Sequence, residues 1–238
     1  DFDDRLGYAI NNYNNLDAFL YGGGRRCTTR DAGDIPVISI LTEQNSDAMA
    51  KVLKLYNDCP GGYGYGSQYE DDVKAREKFV AGESMFLFGF LYTAENMREM
   101  EDDYGIIPCP KFDEAQTQYR TQIGTSSNIV FMPKTAADPN LSCRVLEVLN
   151  YYSMLDVIPV YYTVALENKY TRDNDVPEML ALIREGMIMD FSFAYSTCFN
   201  NGFPNTILTE NDINIASRMK SVEKTWTKDL EQLTKISD

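Results

Sequence analysis

The residues best suited to bind a small polar molecule lie in an asparagine-rich segment near the start of the chain. Asn12, Tyr13, Asn14 and Asp17 place one aromatic ring beside amide and carboxylate groups. An aromatic ring stacks well on the C–H face of a sugar, and planar amides or carboxylates pair with its hydroxyls. The pattern predicts a ligand-binding segment; the alternative is an ordinary asparagine-rich turn with a surface tyrosine.

A second candidate is the aromatic pair Phe90 and Tyr92, which follows the apolar run SMFLF at residues 84–88. The run predicts a buried strand, so both rings would be presented where that strand ends. The alternative is that they simply pack in the core. Trp226, the only tryptophan, lies on an apolar stripe that repeats every three or four residues, and we predict that it is a core residue.

Several chemistries are excluded or not indicated. The chain has no histidine, which excludes histidine bases and histidine-ligated metals. Its carboxylate pairs, such as Asp71 and Asp72, are adjacent in sequence, whereas a glycosidase needs two carboxylates that face each other across the bond. The glycine-rich run 61–66 lacks the lysine of a phosphate-binding loop. We predict no catalytic residue, no metal and no cofactor.

The net charge limits the class of partner, and the cysteine pattern indicates what the cysteines do. Lys and Arg total 22 against 36 Asp and Glu, so the net charge of −14 argues against nucleic acid as a partner. The five cysteines form no C-x-x-C pair, and we predict that they are mostly small buried residues. No uninterrupted apolar run approaches the roughly 18 residues of a transmembrane helix.

The elements that must position the candidate residues alternate between strand and helix, which predicts a mixed α/β fold. Residues 11–15 are expected to form a polar break between a strand and a helix. Helices are predicted at 16–21, 94–100, 140–152, 176–185 and from about 211 to the end, with others starting near Ser46 and Tyr69; strands are predicted at 6–10, 36–41, 84–88, 105–109 and 129–132.

Residues 74–111, KAREKFVAGESMFLFGFLYTAENMREMEDDYGIIPCPK, carry a resemblance to a known family. A helix ends in a Phe-x-x-Gly-Glu turn, a buried strand ends in glycine and aromatics, and a helix then leads to DYGIIPCPK. With NYNNLDAFLYGGG at 12–24 and VIPVYYTVALENKYTRDNDVPEMLALI at 157–183, the order of these segments resembles family 1 extracellular solute-binding proteins, the maltose-binding-protein-like group. The segment at 157–183 resembles members from gut Firmicutes.

The resemblance implies an α/β fold of a particular kind: a lobe like those of type II periplasmic binding proteins, with a mixed sheet flanked by helices. Residues 1–112 and 156–238 would form the C-terminal lobe, residues 119–155 would belong to the N-terminal lobe, and 113–118 would be the hinge. The first part of the N-terminal lobe would then be missing from this chain.

The resemblance also implies a function. The chain would bind an extracellular solute, by default a sugar or oligosaccharide, for an ABC importer, by closing two lobes around the ligand without catalysis. Its partners would be that solute and the transmembrane subunits of the permease. It would be a cell-surface lipoprotein of a Gram-positive bacterium whose signal and anchor lie outside this chain. A carbohydrate-active hydrolase and an isolated interaction domain are the alternatives.

By the same resemblance, Tyr13 corresponds to a stacking tyrosine of the family, with Asn14 and Asp17 beside it, and Phe90 and Tyr92 correspond to aromatic ligand contacts. Asp190, Phe193 and Tyr195 lie in the segment that re-enters the cleft. These eight residues are the predicted ligand-binding set. The tryptophan usual in the family at the Phe90 segment is absent.

Overall fold

A computed structural model describes residues 5–10, 12–58, 62–63, 70–98, 100–124, 130–163, 174–195 and 214–235. For residues 12–16, 56–57, 62–63, 70–72 and 234 it describes the backbone only. The fold is mixed α/β, as the alternation of strand and helix patterns predicted.

Three of the described strands form a small parallel sheet. Strand β1 (Leu6–Ile10) is in the middle, flanked by β4 (Gly62–Tyr63) and β5 (Ser84–Phe88), and both neighbours run parallel to it. β1 and β5 coincide with the two strands predicted from the apolar runs. Since strands that run parallel must be joined by long crossovers, helices lie between them in sequence.

Two further strand pairs occur among the described residues. β2 (Thr28–Arg30) and β3 (Pro36–Ile38) form an antiparallel hairpin, in which the predicted strand at 36–41 is shorter than expected. β6 (Thr121–Gln122) and β7 (Met187–Ile188) form a short parallel pair. That pair joins segments far apart in the chain.

Seven α-helices are described: α1 (Asn12–Gly22), α2 (Glu43–Asp58), α3 (Glu70–Val80), α4 (Pro139–Tyr152), α5 (Val176–Glu185), α6 (Phe191–Ala194) and α7 (Ile215–Lys235). A 3-10 helix covers Leu91–Met97, and a π-helical turn, Ser153–Val157, continues α4. α5 has the predicted bounds. α3 is followed by Gly82, whose φ of 70° requires a residue without a Cβ penalty.

The main core is built where α1, α2 and α7 meet the strands. Its fully or almost fully buried members include Ile10, Leu20, Ile40, Met49 and Trp226. α7 packs against α2 and β3 through the apolar stripe that ends in Leu233. The prediction that Trp226 is a core residue is confirmed, since its side chain is only 2% exposed.

The chain divides into two compact units. The first comprises Asp1–Phe90, Pro108–Thr125 and Leu182–Asp238, and the second comprises Leu91–Ile107 and Ser126–Ala181. The main core belongs to the first unit. The segment predicted as a hinge, 113–118, also lies in the first unit.

Three predicted elements were wrong. Residues 12–15 form the first turn of α1 and not a polar break, because asparagine is well suited to the start of a helix, where backbone N–H groups lack partners. Residues 105–109 have no regular secondary structure. Of the buried strand predicted at 129–132, residues 130–132 are neither strand nor buried, and Phe131 is 82% exposed.

The cysteine prediction is confirmed only in part. Cys27 is buried, but Cys109 is half-buried and Cys143 is exposed. Cys59 and Cys198 lie outside the described residues. No described helix combines the length and apolar character needed to cross a bilayer.

Candidate functional site

The candidate site begins where two neighbouring parallel strands end. β1 and β5 lie side by side with Ile10 opposite Phe88, so their carboxyl ends meet at one edge of the sheet. α1 starts at Asn12, two residues after β1, and Phe90 lies two residues after β5. In open α/β sheets, ligands bind outside the carboxyl ends of the strands. The backbone positions of Tyr13, Asn14 and Phe90 follow this rule.

The second parallel pair contributes its own carboxyl ends to the first unit. β6 leads into Gly124, and β7 leads into Asp190. A Cβ atom added to Gly124 would lie 3.2 Å from Cε1 of Phe90, so the Phe90 ring covers this glycine closely. The segments that follow β5 and β6 are thereby in contact, although residues 89–120 lie between the two strands in the sequence.

Asp17 is the most unusual ionisable group of the site. It is only 3% exposed, and burial raises the pKa of its carboxyl to about 7, an effect that the nearby Gln122 side chain partly opposes. Within the described part of the chain, Oδ1 of Asp17 and Nε2 of Gln122 are both buried without a hydrogen bond of good geometry. Buried polar atoms are normally paired, and the nearness of this donor to the Asp17 carboxyl is what lowers its pKa against the larger effect of burial.

Asp190, in contrast, has its hydrogen-bonding capacity used within the protein. Oδ2 accepts from the backbone N–H groups of Cys27 and Thr28 at 2.9 and 3.3 Å. Oδ1 accepts from the hydroxyls of Thr28 and Ser192 at 2.6 and 2.7 Å and from the N–H of Ser192 at 2.9 Å. Asp190 therefore caps α6 and attaches it to β2, which accounts for its burial without a ligand.

Phe193 and Tyr195 lie beside this anchor. The Phe193 ring packs edge-on against Tyr21 with centroids 6.3 Å apart, and the Tyr195 ring lies 4.5 Å from that of Phe191. Tyr195 is 45% exposed, so one aromatic ring of the segment remains accessible. Phe193 is half-buried, and its contact with Tyr21 connects the segment to α1.

The thiols and the buried tyrosine near the site are held neutral. The Tyr21 hydroxyl and the Cys27 sulfur are 3.3 Å apart, and burial raises the pKa values of both groups well above their usual range. Burial also raises the pKa of Cys109 to about 12. A thiol needs to ionise to act as a nucleophile, so neither cysteine is activated.

The predicted site residues fall into three groups. Asp17, Phe90, Asp190, Phe193 and Tyr195 belong to the first unit, whereas Tyr92 belongs to the second, where its ring is 54% exposed. Tyr13 and Asn14 occupy the first turn of α1, and their side chains lie outside the described residues. The predicted ligand-binding role of all eight residues stays a prediction.

Sequence reasoning missed Gln122, Thr121 and Gly124. Thr121 Oγ1 is another buried oxygen without a hydrogen bond among the described residues, and it lies on the same two-residue strand as Gln122. A strand this short has no periodicity to detect, and TQIG has no composition that marks a site. No pattern in the sequence would have identified these residues.

The described site offers hydrogen-bonding groups and aromatic surface. No group of three potential metal ligands occurs in the described ranges. Comparison of the chain with protein-family models and with curated proteins found no match. The geometry of the site and the sequence resemblance are therefore what bears on function.

Proposed function

We propose that this protein binds an extracellular solute, with carbohydrate as the expected class, and passes it unchanged to an ABC importer. The observation that carries the proposal is the meeting of the α1 start, Phe90 and Gly124 at the carboxyl ends of three strands. This is the edge at which open α/β sheets bind small molecules. Aromatic rings together with amide and carboxyl groups are what a sugar site needs.

The arrangement of the sheet supports the proposal. Numbered only within the three-stranded sheet, its order is 2-1-3, which is how one of the two common doubly wound orders, 2-1-3-4-5, begins. We propose that the first compact unit, which contains this sheet, is a lobe like those of type II periplasmic binding proteins. The ligand would be enclosed when two lobes close about a hinge, and the permease subunits would recognise the closed form.

Thermal denaturation in the presence of sugars tests the proposal. Glucose, maltose, maltotriose and xylobiose would each be added in excess, and at least one is expected to raise the melting temperature, because a ligand that binds only the native state stabilises it. Chromogenic glycosides of the same sugars are expected to remain uncleaved. Turnover of a glycoside, or no shift with any sugar, would contradict the proposal.

A matched pair of variants localises the binding. Tyr13→Ala removes the ring predicted to stack on the sugar, and we expect it to abolish the thermal shift. Tyr151→Ala removes an exposed ring from α4 and serves as the control, with the shift retained. Equal loss in both variants would exclude a specific site at the start of α1.

A protein-interaction role is the second candidate function, favoured by α4. None of its residues is buried, and Leu141, Val145, Leu149 and Tyr152 are all about half exposed or more. Contiguous apolar surface of this kind often marks a protein-binding site. Light scattering over a range of protein concentrations tests this candidate: a rise in mass with concentration would support it, and a constant monomer mass would contradict it.

A further inference from the structure

A pocket of about 450 Å³ lies in the first unit, between α2 and the segment around Phe112. This volume is within the range of small-molecule sites, roughly 300–1,000 Å³. None of the predicted solute-binding residues lines it. The pocket is therefore a feature additional to the site at the strand ends.

The walls of the pocket are mainly apolar. Phe19 lines it from α1, Val52 and Leu55 line it from α2, and Phe112 lines it from the segment before β6. Phe19 is fixed in place, because its ring stacks on Phe88 with centroids 4.2 Å apart. Two aromatic rings on the walls suit a flat or elongated apolar body.

The charged groups at the pocket are mostly positive. Three lysines line it, Lys51, Lys54 and Lys111, against one carboxylate, Asp58. This excess of positive charge stands out in a chain whose net charge is −14. A fourth cation adds to it from nearby, since Cζ of Arg25 is 4.8 Å from the centre of the Phe112 ring.

Two of the three ammonium groups are already engaged. Lys51 Nζ donates to the Phe112 carbonyl at 2.9 Å and lies 4.3 Å from the centre of its ring. Lys111 Nζ donates to the Thr117 carbonyl at 3.3 Å and lies 4.4 Å from the centre of the Tyr119 ring. Among the described residues, Lys54 has no hydrogen-bond or ion-pair partner, so its ammonium is available to a ligand.

We propose that this pocket binds a small organic anion: an aromatic or aliphatic body carrying a carboxylate or sulfonate. The body would lie between Phe19, Val52 and Phe112, and the anionic group would pair with Lys54 at the rim. A charge-assisted hydrogen bond is stronger than a neutral one and gives the site a preference for charge. Lys51 would add to the attraction without moving from Phe112.

Three probes of the same shape and different charge test the proposal by isothermal titration calorimetry. They are 2-naphthoate, the neutral 2-naphthalenemethanol and the cationic 2-naphthylmethylammonium. We expect naphthoate to bind about tenfold more tightly than the alcohol, and the cation most weakly. Raising the salt concentration should weaken naphthoate binding and leave that of the alcohol nearly unchanged. Equal affinities for the three probes would overturn the proposal.

Matched variants locate the binding. Lys54→Glu should weaken naphthoate binding by tenfold or more, whereas Lys220→Glu makes the same charge change on the exposed face of α7 and should leave it within about twofold. Leu55→Trp fills the pocket from a position already 39% exposed and should abolish binding with the melting temperature retained.

Naphthoate binding that survives both Lys54→Glu and Leu55→Trp would place the anion elsewhere and overturn the proposal, as would no binding at all. The outcome is independent of the solute-binding proposal, because the sugar measurements probe other residues. A protein that binds no sugar can still bind naphthoate in this pocket.

Discussion

Helices α7 and α4 both repeat large apolar residues every three or four positions, and they differ in where those side chains end up. In α7, Met219, Trp226 and Leu230 are almost fully buried against the core. In α4, Leu141 and Leu149 are 58% and 59% exposed. An amphipathic pattern therefore predicts that a helix forms, but it does not tell whether the apolar face has a partner within the same chain.

The same contrast appears in the two aspartates that cap helices. Asp190 caps α6 from a buried position and makes five hydrogen bonds with protein groups. Asp138 caps α4 from an exposed position, where its side chain accepts one bond, from the N–H of Leu141. The buried region around α6 and α7 is therefore held by polar contacts as well as by apolar burial. The exposed region around α4 has a single side-chain cap at the start of its helix.

The largest expected effect is at the centre of the buried region. Trp226→Ala removes a large side chain that is 2% exposed, and we expect it to lower the free energy of unfolding by about 3–5 kcal/mol through the cavity it leaves. Urea denaturation followed by circular dichroism measures this change. A loss under about 1 kcal/mol would show that α7 is not packed as described.

Asp17 gives the next largest effect, and it depends on pH. Because the folded-state pKa, about 7, is above the ordinary value of 3.8, ionisation costs stability: the full stability is present below about pH 4 and is lost as pH rises through 7. We expect Asp17→Asn to raise the free energy of unfolding by a few kcal/mol at pH 8, at most about 4, and to change it little at pH 4.

Asp156→Asn is the matched control, since Asp156 lies in the π-helical turn after α4 and is exposed. Its unfolding free energy should parallel that of the wild-type protein between pH 4 and pH 8. The assignment to Asp17 would be contradicted if Asp17→Asn showed the same pH dependence as the wild-type protein.

The two caps provide the third prediction. Asp190→Ala removes the buried acceptor of three backbone N–H groups and two hydroxyls, and we expect the free energy of unfolding to fall by about 3 kcal/mol. Asp138→Ala removes an exposed cap and should cost about 1 kcal/mol. Urea denaturation of both variants measures the two losses in unfolding free energy. Equal losses would contradict the distinction between the buried cap of α6 and the exposed cap of α4.

The sequence predicted those elements in which local propensity and burial agree. Ser84–Phe88 and Val176–Glu185 have the predicted bounds, because an apolar run and an amphipathic repeat coincide there with tertiary packing. Residues 105–109 and 130–132 are apolar too, yet no neighbouring strand pairs with them in the described structure. Apolar composition alone therefore predicted strands that do not form.

The candidate site was likewise predictable only where local sequence indicates it. Tyr13 and Phe90 could be selected from the sequence because each follows a predicted strand, whereas Gln122 becomes notable only through its position beside Asp17. Contacts between segments about a hundred residues apart leave no trace in local composition. The raised pKa of Asp17 has the same origin, since its cause is burial and not its neighbours in sequence.

The smallest expected effect is on α4, and it tests whether the apolar face of this helix is exposed in solution. Leu149→Glu introduces a charge at a position 59% exposed, and we expect the free energy of unfolding to change by no more than about 0.5 kcal/mol. The matched substitution Leu230→Glu on α7, at a position 7% exposed, should be severely destabilising, because it buries an unpaired charge.

If Leu149→Glu instead cost 2 kcal/mol or more, the face of α4 would be covered in solution. Light scattering of the wild-type protein and the variant would then separate the two ways of covering it: loss of a dimer means a second copy of the chain, and an unchanged monomer mass means a segment of the same chain.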